Sequence, residues 1–324
     1  MAAEEHERTR FSKSLMHAAA QLYYVEEATQ AQVATRLGLS RATVSRLLSE
    51  ARREGIVRIE VVAPVEHDLD ELAERLRVAL GLEAVHLSAL AHGTKGEALA
   101  PALSIALQSA GLRPGDALLV SSGRTIYEAS RTGLPRLPGV LLAPTVGGQD
   151  EPEAWYATNE ITRRLAERVG GTPTFLYAPA LPGPDLYETL LADASTRRIT
   201  ELWASARCAV LGVGAPLATR TTLPRFVPSD TRVLRAAVGD ICSRFYDREG
   251  TPVPFPGSER LIATSLERLR EIPVTIALAA GTSKVPSLLG AARARYFNHL
   301  VTDPETALAV LGAFESGRRE SNPP

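Results

Sequence analysis

Glycine, hydroxyl and cationic side chains occur together after two apolar runs of the sequence. The segment 122–125, Ser-Gly-Arg-Thr, follows the apolar run 117–120, and the segment 281–284, Gly-Thr-Ser-Lys, follows the apolar run 274–280. Backbone amides at a helix start, hydroxyl groups and an arginine can together bind a phosphate or the hydroxyls of a sugar. Lysine occurs at only three positions in the chain, which favours a ligand contact for Lys284 after its glycine. Both segments therefore predict binding of an anionic or hydroxylated ligand.

Three further loops follow apolar runs and contain glycine. The segment 147–149, Gly-Gly-Gln, would permit close approach of a ligand, and Asp240 follows Gly239. The segment 212–216, Gly-Val-Gly-Ala-Pro, lacks the third glycine of a dinucleotide fingerprint and contains a proline, which excludes a nucleotide cofactor there. Each loop alone is also typical of an ordinary turn or strand-to-helix connection.

The elements that would position these loops form an α/β pattern from residue 84 onward. Short β-rich runs alternate with helical runs, which predicts a Rossmann-like, mostly parallel sheet. The predicted strands are 85–87, 117–121, 140–144, 174–177, 208–213, 274–279 and 299–301. The predicted helices are 96–109, 158–169, 186–204, 258–269, 285–295 and 304–314. Because ligands of open parallel sheets bind beyond the carboxyl ends of the strands, the loops above are where a site is expected.

The N-terminal part has the spacing of three short helices. Apolar residues at intervals of three and four predict a first helix over 11–25, a second between Thr29 and Gly38, and a third between Ser40 and Gly55. Thr29 and Gln32 match a capping box, and Ser40 is a second N-cap. Two helices joined by Gly-Leu-Ser match a helix-turn-helix, whose second helix enters the major groove of DNA.

Charge supports a DNA-binding head. The formal net charge of the chain is −1, but nine basic residues and only four acidic ones lie between Arg8 and Arg58. The alternative is a small helical packing domain with a solvated basic face. The predicted DNA contacts are Thr29, Gln30, Ser40, Arg41, Thr43, Ser45, Arg46, Ser49 and Arg52.

The domain boundary is predicted near residue 62, giving a helix-turn-helix domain over 1–62 and an effector-binding and oligomerisation domain over 63–324. An alternating run at 56–62 predicts a strand that ends the head. A leucine stripe over 69–80 fits either a dimerising linker helix or the first helix of the body, and the second interpretation is favoured.

Composition excludes several classes of protein. The 324 residues are 45% hydrophobic and 23% charged, as in ordinary globular domains. We find no apolar run of the length that spans a bilayer and no signal peptide, so we expect a cytoplasmic protein without membrane contact. Cys208 and Cys242 lie in apolar stretches, which favours reduced core thiols and no metal site or other cofactor.

The combination of segments resembles the SorC family of bacterial sugar-responsive transcription regulators, from about residue 10 to 314. The resemblance rests on these segments: Gly-Leu-Ser-Arg-Ala-Thr-Val-Ser-Arg-Leu-Leu at 38–48, 122–125, Asn159, 237–241, 244–247, 281–284 and 300–303. It implies a body of the sugar-phosphate isomerase and deaminase type that senses a sugar phosphate or related metabolite without converting it, in a regulator of a carbohydrate-metabolism operon. It also implies a homodimer or homotetramer bound to operator DNA.

The resemblance assigns roles to the loop residues. Gly123, Arg124 and Thr125 would hold phosphate or sugar oxygens, while Gln149 and Asp240 would contact hydroxyls. Lys284 would neutralise the charge of the ligand. The full set of expected effector-binding residues is Ser122, Gly123, Arg124, Thr125, Gly148, Gln149, Asp240 and Lys284.

Two alternatives remain at this stage. An isomerase or deaminase carrying a basic head would need a positioned general base, for which the candidate acids are Asp150, Asp240 and Asp303. Asp303 precedes Pro304 and is expected to cap the last helix, and His299 lies among apolar residues as a core side chain. We therefore expect no enzyme. A body that serves only assembly is the third possibility, which the cationic loops argue against.

Overall fold

The computed structural model describes residues 11–26, 28–57, 66–88, 93–131, 133–220, 223–228 and 231–321. The chain divides into two compact units, Met1–Pro64 and Val65–Pro324, called the head and the body below.

The described part of the head has three helices, α1 (Lys13–Ala20), α2 (Gln30–Leu37) and α3 (Arg41–Arg53), and α1 continues as one π-helical turn over Gln21–Val25. The capping box is confirmed, because the Thr29 hydroxyl accepts from Gln32 N and the Gln32 side chain accepts from Thr29 N. Gly38 ends α2 in the left-handed region at φ 66°, where glycine is favoured. Ser40 caps α3 by accepting from Thr43 N at 3.1 Å. Local hydrogen bonds thus define the turn between α2 and α3.

The three helices of the head enclose one core of buried apolar residues. The buried residues of the cluster include Met16, Ala19, Val33, Val44, Leu47, Leu48 and Ala51. The inward positions of α3 therefore match the predicted apolar face. Ile56 and Val57 form a bend, and the rest of the strand predicted at 56–62 lies outside the described residues.

The body contains nine helices and nine strands within its described residues. The helices are α4 (Glu66–Leu80), α5 (Lys95–Ser109), α6 (Arg124–Ala129), α7 (Thr158–Val169), α8 (Pro184–Ala192), α9 (Ala194–Ser205), α10 (Leu266–Leu269), α11 (Val285–Arg293) and α12 (Pro304–Ser321). The strands are β1 (Ala84–Leu87), β2 (Ala117–Val120), β3 (Leu141–Pro144), β4 (Thr172–Pro173), β5 (Cys208–Gly212), β6 (Gly239–Ile241), β7 (Arg244–Tyr246), β8 (Val274–Leu278) and β9 (His299–Thr302).

Seven strands form one parallel sheet in the order β1-β9-β8-β5-β2-β3-β4, and β6 and β7 form a separate antiparallel hairpin. The predicted Rossmann-like α/β fold is confirmed. Alternate residues of one strand belong to different cores, as Leu118 and Leu119 of β2 show. The sheet is therefore covered on both faces, which explains why its strands are continuously apolar.

The strand order reverses between β2 and β5. From β2 the chain continues outward through β3 and β4, whereas from β5 it continues in the opposite direction through β8 and β9. Loops that leave neighbouring strands in opposite directions open a crevice between them. The crevice beyond β2 and β5 is therefore where the fold places a ligand.

Three predicted elements differ from the structure. The strand expected at 174–177 is wrong: the edge strand in this region is the two-residue β4 at 172–173, and the pairing with β3 ends after Thr174 N, which donates to the Leu142 carbonyl at 2.7 Å. Pro173 is tolerated there because its side without an N–H faces the open edge of the sheet. The helix expected at 186–204 is interrupted at Asp193, whose carboxylate caps α9 by accepting from Ser195 N at 2.8 Å. The helix expected at 258–269 is a 3₁₀ turn over Ser258–Arg260 and the single turn α10.

The leucine stripe forms α4, which belongs to the body. Leu72 and Leu76 are buried in the same apolar cluster as Leu300 and Val310. The favoured interpretation of the stripe as the first helix of the body is confirmed. Within the described residues, Cys208 and Cys242 are both buried and unpaired as free thiols.

Candidate functional site

A cavity of about 310 Å³ opens at the carboxyl ends of β2 and β5. Its walls come from the loops after these strands, from the β6–β7 hairpin and from the turn before α11. Seven of the eight residues predicted to bind an effector line it: Ser122, Gly123, Arg124, Thr125, Gln149, Asp240 and Lys284. Residues up to 162 positions apart in sequence are therefore brought together at the strand-order reversal.

Gly148 is the predicted residue that the structure places elsewhere. Its N–H donates to the carbonyl of Ala178 at 2.8 Å, and its carbonyl accepts from Ala180 N at 2.7 Å. Gly148 does not line the cavity, because its backbone forms this bridge to the segment 178–180. The bridge fixes the loop that carries Gln149.

Ser121 connects the two central loops. Its hydroxyl accepts a hydrogen bond from Gly212 N at 2.7 Å. This bond joins the end of β2 to the end of β5, so the two walls of the cavity are held at one spacing. Ser121 is itself buried, whereas Ser122 beside it is half-buried and faces the cavity.

Arg124 stands at the start of α6 and stacks on Trp155. Its guanidinium carbon lies 4.2 Å from the centre of the indole ring, within the range of a cation–π contact. The indole is held nearby because the N–H of Gly123 donates to the carbonyl of Trp155 at 2.9 Å. Gly123 has φ 124°, which favours glycine at the turn into α6. Arg124 is therefore an oriented but exposed cation.

Gln149 presents an unused acceptor at the cavity. Its Nε2 donates to the Ser122 hydroxyl at 3.1 Å. Its Oε1 is buried and has no hydrogen-bond partner among the described residues. A buried acceptor without a partner is costly, and a hydroxyl group of a ligand would satisfy it.

Arg220 and Asp240 form an ion pair in the wall of the cavity. Gly214 packs directly against both side chains, since a Cβ atom at this position would lie 1.9 Å from Asp240 Oδ1 and 2.1 Å from an Arg220 nitrogen. The Gly214 N–H also donates to the Asp240 carbonyl at 2.9 Å. Glycine at position 214 is thus required for this close approach.

Lys284 reaches the cavity from the turn before α11. Its Nζ donates to the carbonyl of Val213, at the end of β5. Burial, together with the nearby charges of Arg220 and Lys95, lowers the pKa of the Lys284 amine to about 8, while Asp240 opposes the shift. At pH 7 the amine is still mostly protonated and carries a positive charge. Asp240 is the carboxylate in the cavity wall that opposes this charge, and it is already paired with Arg220.

The β6–β7 hairpin forms the remaining wall. Cys242 and Ser243 are its two turn residues, with φ values of 53° and 63°. Both angles suit a type I′ turn, which rarely contains two residues other than glycine, asparagine or aspartate. Burial raises the pKa of the Cys242 thiol to about 12, so the thiol is not a nucleophile at neutral pH.

The charges of the lining favour an anion. Among the described residues that line the cavity, Arg124, Arg220 and Lys284 are cationic and Asp240 is the only carboxylate. Trp155, Arg220 and Gly214 were not predicted as site residues. Gly214 could have been found, because it follows β5 at the carboxyl end of the sheet. Trp155 and Arg220 lie farther along their loops, where strand position gives no signal.

The predicted DNA contacts of α3 lie on its solvent side. Arg41, Ser45, Arg46, Ser49 and Arg52 are exposed, and Thr43 is half-buried. Arg41, Ser45, Ser49 and Arg52 share one helix face by their spacing. Arg41 and Arg46 have no ion-pair partner within the part of the chain that the structure describes, whereas Arg53 pairs with Glu50 at 2.8 Å. Thr29 and Gln30 lie at the start of α2, and the hydroxyls of Thr29 and Ser40 already cap helices.

Comparison with known proteins agrees with both units. The Sugar-bind family, a sugar-binding domain, matches residues 64–312, and region 4 of Sigma-70 matches residues 20–54. The chain is 33% identical to the sorbitol operon regulator of Klebsiella pneumoniae over 317 aligned positions, in an alignment that covers 90% of this chain and 96% of that protein. The chain belongs to the SorC family. It is a DNA-binding transcription regulator with a sugar-binding body.

A further relative and a solved structure extend the match. The deoxyribonucleoside regulator of Bacillus subtilis (strain 168) is 32% identical over 315 residues, covering 93% of this chain and 98% of that protein. The crystal structure of the full-length sorbitol operon regulator from Klebsiella pneumoniae aligns with a TM-score of 0.70 at 31% identity, covering 94% of this chain and 100% of that chain. The sequence matches and the structural match therefore indicate the same fold and the same class of protein, a transcription regulator.

The enzyme alternative is not supported. The matched proteins are transcription regulators, and the carboxylate in the cavity, Asp240, is held by Arg220. Asp303 caps α12 as predicted, accepting from Thr306 N at 2.8 Å. His299 is buried in β9, and Asp150 is exposed outside the cavity lining. No helix in the described part of the chain is long and apolar enough to cross a membrane.

Proposed function

We propose that this SorC-family regulator controls a carbohydrate-metabolism operon and that its effector is a sugar phosphate bound in the cavity at the carboxyl ends of β2 and β5. The observation that carries the proposal is the charge of the lining, three cationic side chains against one carboxylate. A cavity of about 310 Å³ is at the small end of ligand sites, which suits a single phosphorylated monosaccharide or polyol.

The proposal divides the cavity into two ends. Arg124 and Lys284, with the backbone and hydroxyl of Gly123 and Thr125, bind the phosphate, because an arginine and a buried ammonium recognise an anion better than a neutral sugar. Gln149, Ser122 and Asp240 contact hydroxyl groups. The Oε1 atom of Gln149 supports this assignment, because it has no hydrogen-bond donor among the described residues and a ligand hydroxyl can donate to it.

The head supplies the operator contacts. The N-terminal half of α3 enters the major groove, with Arg41, Arg46 and the hydroxyl residues of the exposed face contacting phosphates or base edges. We further propose that the protein acts as a cytoplasmic homodimer or homotetramer, since symmetric operators are read by paired heads. The effector then favours one arrangement of the oligomer, with a coupling of about 1–3 kcal/mol.

A thermal-shift screen of the full chain tests the effector assignment. The panel contains sorbitol 6-phosphate, 2-deoxyribose 5-phosphate, ribose 5-phosphate, glucose 6-phosphate and fructose 6-phosphate, each beside its unphosphorylated counterpart and inorganic phosphate. The names of two relatives, a sorbitol operon regulator and a deoxyribonucleoside regulator, motivate the first two compounds. A compound at about 100 times its Kd stabilises the protein by roughly 2.7 kcal/mol, a shift of several degrees.

Two variants make the screen specific. Arg124→Ala should abolish the shift. Arg131→Ala, which changes an exposed arginine just after the end of α6 that does not line the cavity, should retain it. Equal shifts from phosphorylated and free sugars, or an unchanged shift in Arg124→Ala, would overturn the phosphate assignment.

A further inference from the structure

Glu151 is a half-buried residue, two positions after Gln149, whose carboxylate lies mostly out of solvent. Its side chain is only 9% exposed. Glu151 Oε1 accepts a hydrogen bond from the backbone N–H of Arg225 at 2.5 Å. A carboxylate that accepts an N–H bond away from solvent is a strong attachment point, because such bonds are roughly twice as strong as neutral ones.

The chain that Glu151 holds, residues 223–228, forms part of the cavity wall. Pro224 of this wall segment is buried and lines the cavity. The segment turns at this point, since Val227 N donates to the Pro224 carbonyl at 2.9 Å. Val227 is buried in an apolar cluster with Phe245 and Phe255, and this cluster is separate from the two main cores of the sheet. Leu223 and Phe226 also pack against this cluster, so apolar contacts hold one side of the segment and the bond to Glu151 is a polar attachment beside them.

The loop that carries Glu151 is itself firmly attached. Gly148 is bonded to Ala178 and Ala180 on one side, and the Trp155 carbonyl is bonded to Gly123 N on the other. Glu151 lies between these anchors. It connects a fixed loop, which contributes Gln149 and Trp155 to the cavity, to the wall segment, which contributes Pro224.

The side chain of Arg225 contributes little to this attachment. The Arg225 side chain is 67% exposed, and its Nε lies 3.9 Å from Glu151 Oε2. A second guanidinium nitrogen lies 3.5 Å from the carboxylate of Asp150, whose side chain is 99% exposed. Exposed ion pairs of this kind contribute at most a small free energy. The bond to the backbone amide is the one that a substitution of Glu151 would remove.

We propose that Glu151 is a positioning residue of the effector site, which holds the wall segment against the cavity through the Arg225 amide and so slows release of the effector. Glu151 itself does not touch the effector, because it does not line the cavity. The inference rests on the proposed function, since it concerns retention of the ligand assigned there. Glu151 thus joins the residues that determine effector binding, and its substitution should change the rate at which the effector dissociates.

The test compares four variants of the full chain. Effector binding is followed through the fluorescence of Trp155, which lies in the cavity wall, using the panel compound that stabilises the wild type most. We expect Glu151→Ala to weaken binding about tenfold through faster dissociation, as loss of one charge-assisted bond would do. Glu151→Gln keeps an acceptor and should stay within about threefold of the wild type. Asp150→Ala and Arg225→Ala leave the amide bond intact and should stay within about twofold.

Unfolding of each variant without effector separates positioning from loss of fold. If Glu151→Ala also unfolds early, Glu151→Gln decides: a dissociation rate raised about two- to threefold with a wild-type melting curve supports the inference, and a wild-type dissociation rate overturns it. An unchanged dissociation rate in folded Glu151→Ala would overturn it while leaving the proposed function intact. An equal loss in Arg225→Ala would overturn it as well, because the side chain would then be the attachment. Failure of the wild type to bind any compound would overturn the proposed function and this inference together.

Discussion

Arg220 donates to the carboxylate of Asp240 in the wall of the cavity, with 15% and 17% of the two side chains exposed. Arg220 Nε also donates to the carbonyl of Ala215 at 2.6 Å. The guanidinium is therefore held at two points before any ligand arrives. A cation whose orientation is already fixed loses less conformational freedom on binding than a flexible one.

Gly214→Ala should disrupt this pair and weaken effector binding by about tenfold or more. The added Cβ would lie within about 2 Å of both charged side chains, so the pair must separate or the loop must move. Titration of Trp155 fluorescence measures the loss. Gly183→Ala is the matched control, because a Cβ there meets nothing within 4 Å and its φ is −62°. Wild-type affinity in Gly214→Ala would contradict the assigned geometry.

Lys284→Met should stabilise the protein without effector at pH 7. Burial lowers the pKa of this amine from 10.5 to about 8, so the folded state holds a charge that it disfavours. The destabilisation is complete below pH 8 and declines as the pH rises from 8 to 10.5, where the unfolded chain also loses its proton. We expect a gain of about 1–3 kcal/mol in unfolding free energy at pH 7, which shrinks above pH 8.

Urea unfolding followed by tryptophan fluorescence checks this prediction, because both tryptophans, Trp155 and Trp203, lie in the body. Lys95→Met serves as control, since Lys95 is exposed and should give little change. A Lys284→Met protein that is less stable than the wild type at pH 7 would contradict this prediction. It would show that interactions in the folded protein fully offset the cost of burying the charged amine.

Arg46→Ala should weaken operator binding at least tenfold. Arg46 is exposed on α3 without an ion-pair partner among the described residues, as expected of a side chain that contacts DNA. If it contacts a phosphate, the slope of log K against log salt falls by about 1, whereas a base contact changes sequence preference instead. Mobility-shift titrations on a fragment protected by the wild type give both quantities. Arg53→Ala, whose side chain pairs with Glu50, should bind nearly as the wild type does.

His86 and His299 should make the body less stable in acid. Their rings stack at 6.1 Å, and burial lowers the pKa of both imidazoles, with the charge of His299 also acting on His86. Because the unfolded chain binds protons more readily, stability falls as the pH drops below about 6.5. In His86→Leu the loss of unfolding free energy between pH 7.5 and 5.5 should be smaller. An identical loss in both proteins would show that other groups cause the acid sensitivity.

The parts of the fold that depend on local signals could be predicted from the sequence. Thr29, Gly38 and Ser40 define helix ends by bonds to residues within a few positions, and the buried strands follow from continuous apolar runs. The break at Asp193 was missed because a helical apolar pattern continues on both sides of it. The extent of β4 depends on its place at the sheet edge, which is a property of the whole sheet.

The candidate site divides in the same way. Residues directly after a strand, such as Arg124 after β2, were found from position and chemistry. Arg220 was missed because its role depends on Asp240 and Gly214, which the fold alone brings together. Glu151 was missed for the same reason, since its partner is a backbone amide 74 positions away.

The strand order also has a consequence for biosynthesis. β1 is the first of the described strands to leave the ribosome, yet its only described partner in the sheet is β9, the last of them. At about 5–20 residues per second, more than two hundred residues separate their synthesis by roughly 10–40 s. During this interval β1 has no ladder to join. The body should therefore complete its sheet only after β9 has been synthesised, and chains truncated before His299 should depend on chaperones to stay in solution.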